Sequence, residues 1–262
     1  MGALRLSRRG LTMPTSTRLY GTRLSAWAIA TAIVLTAAFA LAAFYAPIEA
    51  DQGFSQKIFY VHVPLAIVTL IGFVYGGICG VQYLRSGDSR HDLRSYTAIH
   101  QALIFCLAAL ITGSIWAKAA WGQWWVWDEP TLVSFLIVFL LYCTYQPLRF
   151  SIEDPERQAR YAAVFAVVAG AFIPLNFIAV RLADPLIHPR VLSKSGGNLP
   201  GEMKLTFYMA IVGMLLLFIT LYKYEMTAKH GRAQLRALRR RLGTIDQEAP
   251  RGRSAAPSVN PS

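Results

Sequence analysis

Charge is scarce in this sequence. Asp, Glu, Lys and Arg supply 15% of its 262 residues, where a soluble domain carries about a quarter. The charges leave six stretches untouched: Leu24–Ile48, Ile58–Leu84, Ser95–Ala117, Pro130–Leu148, Tyr161–Val180 and Leu205–Tyr222, of 25, 27, 23, 19, 20 and 18 residues. A membrane-spanning helix needs about 20 apolar residues, and soluble helices do not sustain six such runs. A soluble enzyme is excluded, and so is an outer-membrane barrel, whose segments are short and alternating. Cysteine is sparse as well. Cys79, Cys106 and Cys143 all fall inside the runs and form no C-x-x-C pair, which argues against a disulfide framework or dithiol chemistry. No G-x-x-x-x-G-K-[ST] loop is present, so any ATP-driven step belongs to a partner. No carboxylate stands inside a run, which argues against a secondary transporter, where a coupling ion or proton needs one.

What charge there is carries the orientation. With the N-terminus in the cytoplasm, the inner segments hold 20 of the 26 Lys and Arg residues, and the outer loops keep Lys57, Lys118, Arg181, Arg190, Lys194 and Lys204. The positive-inside rule then gives an all-α integral membrane protein of six transmembrane helices with both termini cytoplasmic. Residues 1–23 form a basic cytoplasmic segment, 24–225 the membrane domain, and 226–262 a basic tail whose end has a disordered composition. The first run is too long for a signal-peptide core of roughly 7–15 residues and is read as a retained span. Leu6 stands where a myristoylation signal wants Ser or Thr. Lys223–Leu242 reads as a helix continuing from the sixth span, its arginines near anionic headgroups.

Within the second span, Gly72, Gly76 and Gly80 share a helical face and predict close packing. Pro174 and Asn176 in the fifth span read as a structural kink. The second outer loop is the richest segment: Trp121, Trp124, Trp125 and Trp127 place four of the six tryptophans within seven residues. An aromatic belt at the headgroup level would account for one or two of them. Four beside Asp128, with Trp116 just inside the span, make a platform for a large, flat, apolar ligand with a polar edge. If the loop is helical, Trp121, Trp124 or Trp125, and Asp128 project from one face. His62 in the second span and His188 in the third outer loop fall on the same side. A lone histidine there is more often a hydrogen-bonding residue, but two that converge could hold an iron axially from opposite faces or serve in alternation. His100 reads as a helix contact.

The string Trp121-Gly122-Gln123-Trp124-Trp125-Val126-Trp127-Asp128 resembles the tryptophan-rich WWD motif, W-G-x-W-W-x-W-D, of the haem-handling proteins of cytochrome c maturation. Length and span count select the six-span branch, CcmC, over the larger haem lyase CcmF and the channel subunit CcsA. The resemblance covers about residues 24–225. It implies that His62 and His188 are axial ligands of haem b, carried as cargo. Trp121, Gly122, Trp124, Trp125, Trp127 and Asp128 would bind the porphyrin on the periplasmic face of the inner membrane. The implied role is delivery to the haem chaperone CcmE beside an ABC-type complex of CcmA, CcmB and CcmD, with no enzymatic step. The alternatives are the channel subunit of a two-component synthase and a small secondary transporter. Two departures stand out. Leu182 and Ala183 replace tryptophans expected upstream of His188, and Glu129-Pro130 follows the motif where a small residue or proline and then a cation are usual, so a partner for a haem propionate is missing there.

The charge count makes the topology testable. Cysteines introduced at Gln52, Trp124 and Gly196 are expected to react with an impermeant thiol reagent added from outside. Cysteines at Arg90, Arg157 and in the tail are expected to stay unlabelled, and labelling of the tail from outside would overturn the arrangement.

Overall fold

A computed structural model of the protein describes residues 23–50, 52–188 and 199–248. The basic segment 1–22, the loop residues 189–198 with Pro189, and the tail from 249 lie outside the described residues. Helix α1 runs over Leu24–Ala40 and ends in a π turn, Leu41–Tyr45; a 3-10 turn, Phe54–Ile58, leads into α2, Phe59–Ser86. Then come α3 (Ser89–Trp121), α4 (Pro130–Cys143), the short α5 (Tyr145–Phe150), α6 (Pro155–Leu182) and α7 (Gly201–Glu248). Among the described residues, six helical segments are long and apolar enough to cross a membrane, α4 and α5 together forming the fourth. The described residues form two units, Arg23–Lys223 and a second that begins at Tyr224, into which α7 continues.

Side chains that satisfy orphan N–H groups set the helix starts. Asp88 accepts the backbone N–H of Arg90 at 2.9 Å and opens α3, and Asp154 accepts that of Arg157 at 2.7 Å ahead of Pro155 in α6. Glu129 does the same for Thr131 at 3.3 Å, with Pro130 at the first position of α4, where its missing N–H costs nothing.

Helix α2 packs along both α3 and α6. The expected glycine face is present: a side chain on Gly72 would strike Phe218 and Ala102, one on Gly76 would strike Ile99, and one on Gly80 would meet the carbonyl oxygen of Ala163. Gly77 extends the seam. A Cβ there would lie 2.9 Å from the Ala166 carbonyl oxygen and 3.2 Å from Cα of Gly170, so the backbones of α2 and α6 touch directly. Hydrogen bonds reinforce these contacts, Ser95 Oγ donating to the Gly76 carbonyl at 2.8 Å and the hydroxyls of Thr31 and Thr220 bonding across α1 and α7 at 2.8 Å. Phe73 and Tyr142 stack at 3.6 Å between centroids, tying α4 to α2.

Arg149, an inner-loop cation by its position in the sequence, is instead paired. Its two terminal nitrogens donate to the two Asp92 carboxylate oxygens at 2.7 and 2.6 Å, both side chains are largely buried, and its guanidinium lies over Tyr96 at 4.8 Å. A two-pronged pair of this kind is strong, and removing one member strands the other. Asp92→Ala is expected to destabilise the bundle by about 3 kcal/mol, read as a lower unfolding midpoint in detergent. Asp92→Ala with Arg149→Met should recover much of that loss.

Candidate functional site

The first elements of the site come from α2 and α3. The His62 ring lies against α3, where its Nδ1 donates to the Ala109 carbonyl at 3.0 Å and lies 3.3 Å from the Thr112 hydroxyl oxygen. A carbonyl only accepts, so the proton sits on Nδ1 and Nε2 keeps a lone pair. Gly113 makes room for the ring: a Cβ there would fall 2.7 Å from Cε1 of His62. Trp116 closes the other side with an edge contact at 5.8 Å, and its indole N–H donates to Oε1 of Gln52 at 2.8 Å.

The tryptophan loop departs from a helical arrangement. Helix α3 stops at Trp121 because Gly122 takes a left-handed φ of 74°, a conformation that suits glycine. Lys118 Nζ donates to the Gly122 carbonyl at 2.8 Å, and the chain then runs irregularly to α4. The motif therefore divides. Trp121 and Trp125 are half-buried and turn inward, whereas Trp124 (59% exposed), Trp127 (71% exposed), Gly122 and Asp128 face out. Gly122 thus serves the turn through its backbone. The Trp125 and Trp127 rings still touch, at 6.0 Å.

His188 reaches the same place from the end of α6, its ring edge-on to Trp121 at 6.1 Å. Both histidines, Trp121 and Trp125 line one cavity between α2, α3, α4 and α6. The rest of its wall is mainly apolar, with Trp116, Phe135 and Ile173 among the lining side chains. Sequence reasoning missed four polar contributors, of which Thr131 stands at the start of α4. Asn176, assigned only to a kink, and Ser134 line the wall, and so does Arg181, counted only as an outer-loop charge. Arg181 lies over the Phe177 ring at 4.7 Å. A cation is thus present, supplied by α6 instead of by the residues after Asp128. Trp125 contributes a buried indole N–H without a hydrogen-bond partner among the described residues. The site therefore offers two imidazoles, three flat indoles, an unused donor and a cation around an apolar space.

The comparisons with known proteins bear on the same segment. The family model described as heme exporter protein C matches residues 9–241. This chain belongs to the heme exporter protein C family. The heme exporter protein C of Bradyrhizobium diazoefficiens is 32% identical over 232 residues, 87% of each chain. That of Paracoccus denitrificans is 30% identical over 81% of this chain and 88% of its own, and that of Escherichia coli K12 is 28% identical over 76% and 80%. For this member of the heme exporter protein C family, the matched stretch takes in all six candidate spans and the whole cavity.

Glu129, the residue that departs from the motif, is fully buried. Burial works to raise its pKa, but hydrogen bonds from the backbone N–H groups of Ile187, His188, Thr131 and Leu186 outweigh it and hold the carboxyl below the usual range. The group is therefore a carboxylate at neutral pH.

The contact at Gly113 has a measurable consequence. Gly113→Ala crowds the His62 ring and is expected to cost about 1–3 kcal/mol by overpacking, read as a lower unfolding midpoint. Gly201→Ala, where a Cβ meets nothing within 4 Å, should leave the midpoint unchanged.

Proposed function

We propose that this protein binds haem at the cavity and hands it to a periplasmic haem chaperone during cytochrome c maturation. The observation that carries the reading is the convergence of His62, His188, Trp121 and Trp125 on one apolar cavity. Family membership supports it, because relatives matched over most of their length are heme exporters by name. The groups fit the ligand. A porphyrin is flat and apolar with two carboxylates at one edge, which suits indole faces, the Trp125 N–H and the Arg181 guanidinium. His62 is set to ligate through Nε2, because Nδ1 is committed to a backbone carbonyl; such an outer hydrogen bond fixes the tautomer and raises ligand basicity. His188 supplies the second imidazole, and both act on haem b carried as cargo.

The work is carriage, with no bond made or broken in the porphyrin. By the positive-inside rule the site end faces the periplasm and the protein is a multi-pass component of the bacterial inner membrane. Trp124 and Trp127, exposed in the loop that ends in Asp128, offer aromatic area where the chaperone CcmE would meet the bound haem. The family's export role supports an ABC-type exporter as the setting; in this reading CcmA, CcmB and CcmD would supply the ATP-driven step this sequence has no loop for.

The purified protein is expected to show a Soret band. His62→Ala and His188→Ala should each weaken haem retention by about tenfold or more, and the double variant should lose axial ligation by this chain. Trp121→Ala with Trp125→Ala should make haem exchangeable although both imidazoles remain. Trp124→Ala with Trp127→Ala should keep the spectrum but impair transfer to the chaperone. An unchanged spectrum in the double histidine variant would sink the proposal.

A further inference from the structure

Glu129 sits where three parts of the site end meet, and its two carboxylate oxygens face different partners. Oε1 accepts the N–H of Thr131 and caps α4. Oε2 accepts three consecutive N–H groups from beyond the end of α6: Leu186 at 3.0 Å, Ile187 at 3.0 Å and His188 at 3.2 Å. Those three residues lie in no helix or strand, so the N–H groups that Glu129 takes up are not spent on regular structure. Successive N–H groups pointing to one side form a concavity suited to an anion, and the bonds to an ionised oxygen are roughly twice as strong as neutral ones. The carboxylate is fully buried and does not line the haem cavity. It immediately follows Asp128, the last residue of the tryptophan motif.

We propose that Glu129 is a positioning residue for His188: its buried carboxylate clamps the Leu186–His188 backbone to the end of the tryptophan motif, so that the second axial imidazole and the indole platform are held as one piece. This rests on the reading of the cavity as a haem site. His62 needs no such clamp, because it projects from within a helix and its ring is held between Ala109, Gly113 and Trp116. His188 rides on irregular backbone, where a ligand's direction is only as good as the contacts holding the chain. The edge contact with Trp121 orients the ring, and Glu129 fixes the backbone that carries it.

Glu129→Gln and Glu129→Ala separate the clamp from the cap. A glutamine can turn its one carbonyl oxygen to the three N–H groups and give up only the Thr131 bond. Alanine gives up all four.

The test uses the full chain loaded with haem in detergent, followed by visible absorption and electron paramagnetic resonance. The wild-type protein is expected to show low-spin iron with two imidazoles. Glu129→Ala should take on the spectrum of His188→Ala, with haem affinity lower by about tenfold, and added imidazole should restore the low-spin signal in both. Adding Glu129→Ala to His188→Ala should change nothing further, and Glu129→Gln should stay near the wild type. A wild-type spectrum in Glu129→Ala would overturn the positioning role. So would a further loss of haem from the double variant, because that would make Glu129 a general support for α4. If His188→Ala itself leaves the wild-type spectrum intact, it is the assignment of His188 as a ligand that fails, and the clamp's role in haem binding falls with it.

Discussion

The direct contact of α2 with α6 at Gly77 and Gly170 is the constraint on which the rest of the bundle depends. Lipid is as apolar as leucine, so helices in a bilayer are not driven together by hiding apolar surface. They associate where backbones approach closely and where polar groups find each other. The glycines of α2 permit the first, toward α6 at Gly77 and Gly80 and toward α3 at Gly76. With three helices locked in register, His62 is carried to the level of Ala109 and Gly113 on α3. Asn176 and Arg181, near the far end of α6, come to the same cavity. The space left between this packed trio and α4 is the cavity itself.

Polar groups in the bundle are answered according to what surrounds them. Thr31 and Thr220 satisfy each other, Ser95 uses a backbone carbonyl, and Asp92 and Arg149 neutralise each other near Tyr96. Among the described residues neither the Trp125 indole N–H nor the Tyr142 hydroxyl has a hydrogen-bond partner, and of the two residues Trp125 alone lines the cavity. An unsatisfied buried donor costs free energy that a ligand acceptor can return. Placed beside two imidazoles, it is a donor with a use.

The spans were legible because the bilayer imposes a length, and soluble folds seldom produce a charge-free run of about 20 residues. Gly72, Gly76 and Gly80 were legible because a four-residue spacing fixes one face. The histidines and tryptophans could be nominated as residue types with a chemistry, and the structure does bring His62, His188, Trp121 and Trp125 to one cavity. Which indoles turn inward was not legible, because Gly122 ends the helix and helical spacing no longer applies beyond it. Gln52, Gly113, Arg181 and Glu129 were missed for a common reason. Each acts on a residue distant in sequence or lines a cavity built by several elements, and no local pattern announces that. The Arg149 charge, assigned by position to a loop, shows the same limit: its partner lies 57 residues away.

The two departures from the family pattern bear on each other once their places are known. A carboxylate directly after the motif would repel a porphyrin propionate if it faced the cavity. It does not, because its oxygens are taken up by four backbone N–H groups and none of its surface is exposed. Pro130 reinforces this by opening α4 at the next residue, which commits Glu129 to the cap position. A cation is instead present in the cavity wall as Arg181, in the last turn of α6. The two charges thus have separate tasks, the negative one holding Leu186–His188 and the positive one lining the apolar space. The absence of upstream tryptophans fits the same arrangement. With Leu182 82% exposed and Ala183 already in extended backbone, the chain leaving α6 gains little from side-chain packing at Leu182. Its direction at His188 is set instead by hydrogen bonds to a buried anion, which act on the backbone and so do not depend on which side chains precede the histidine.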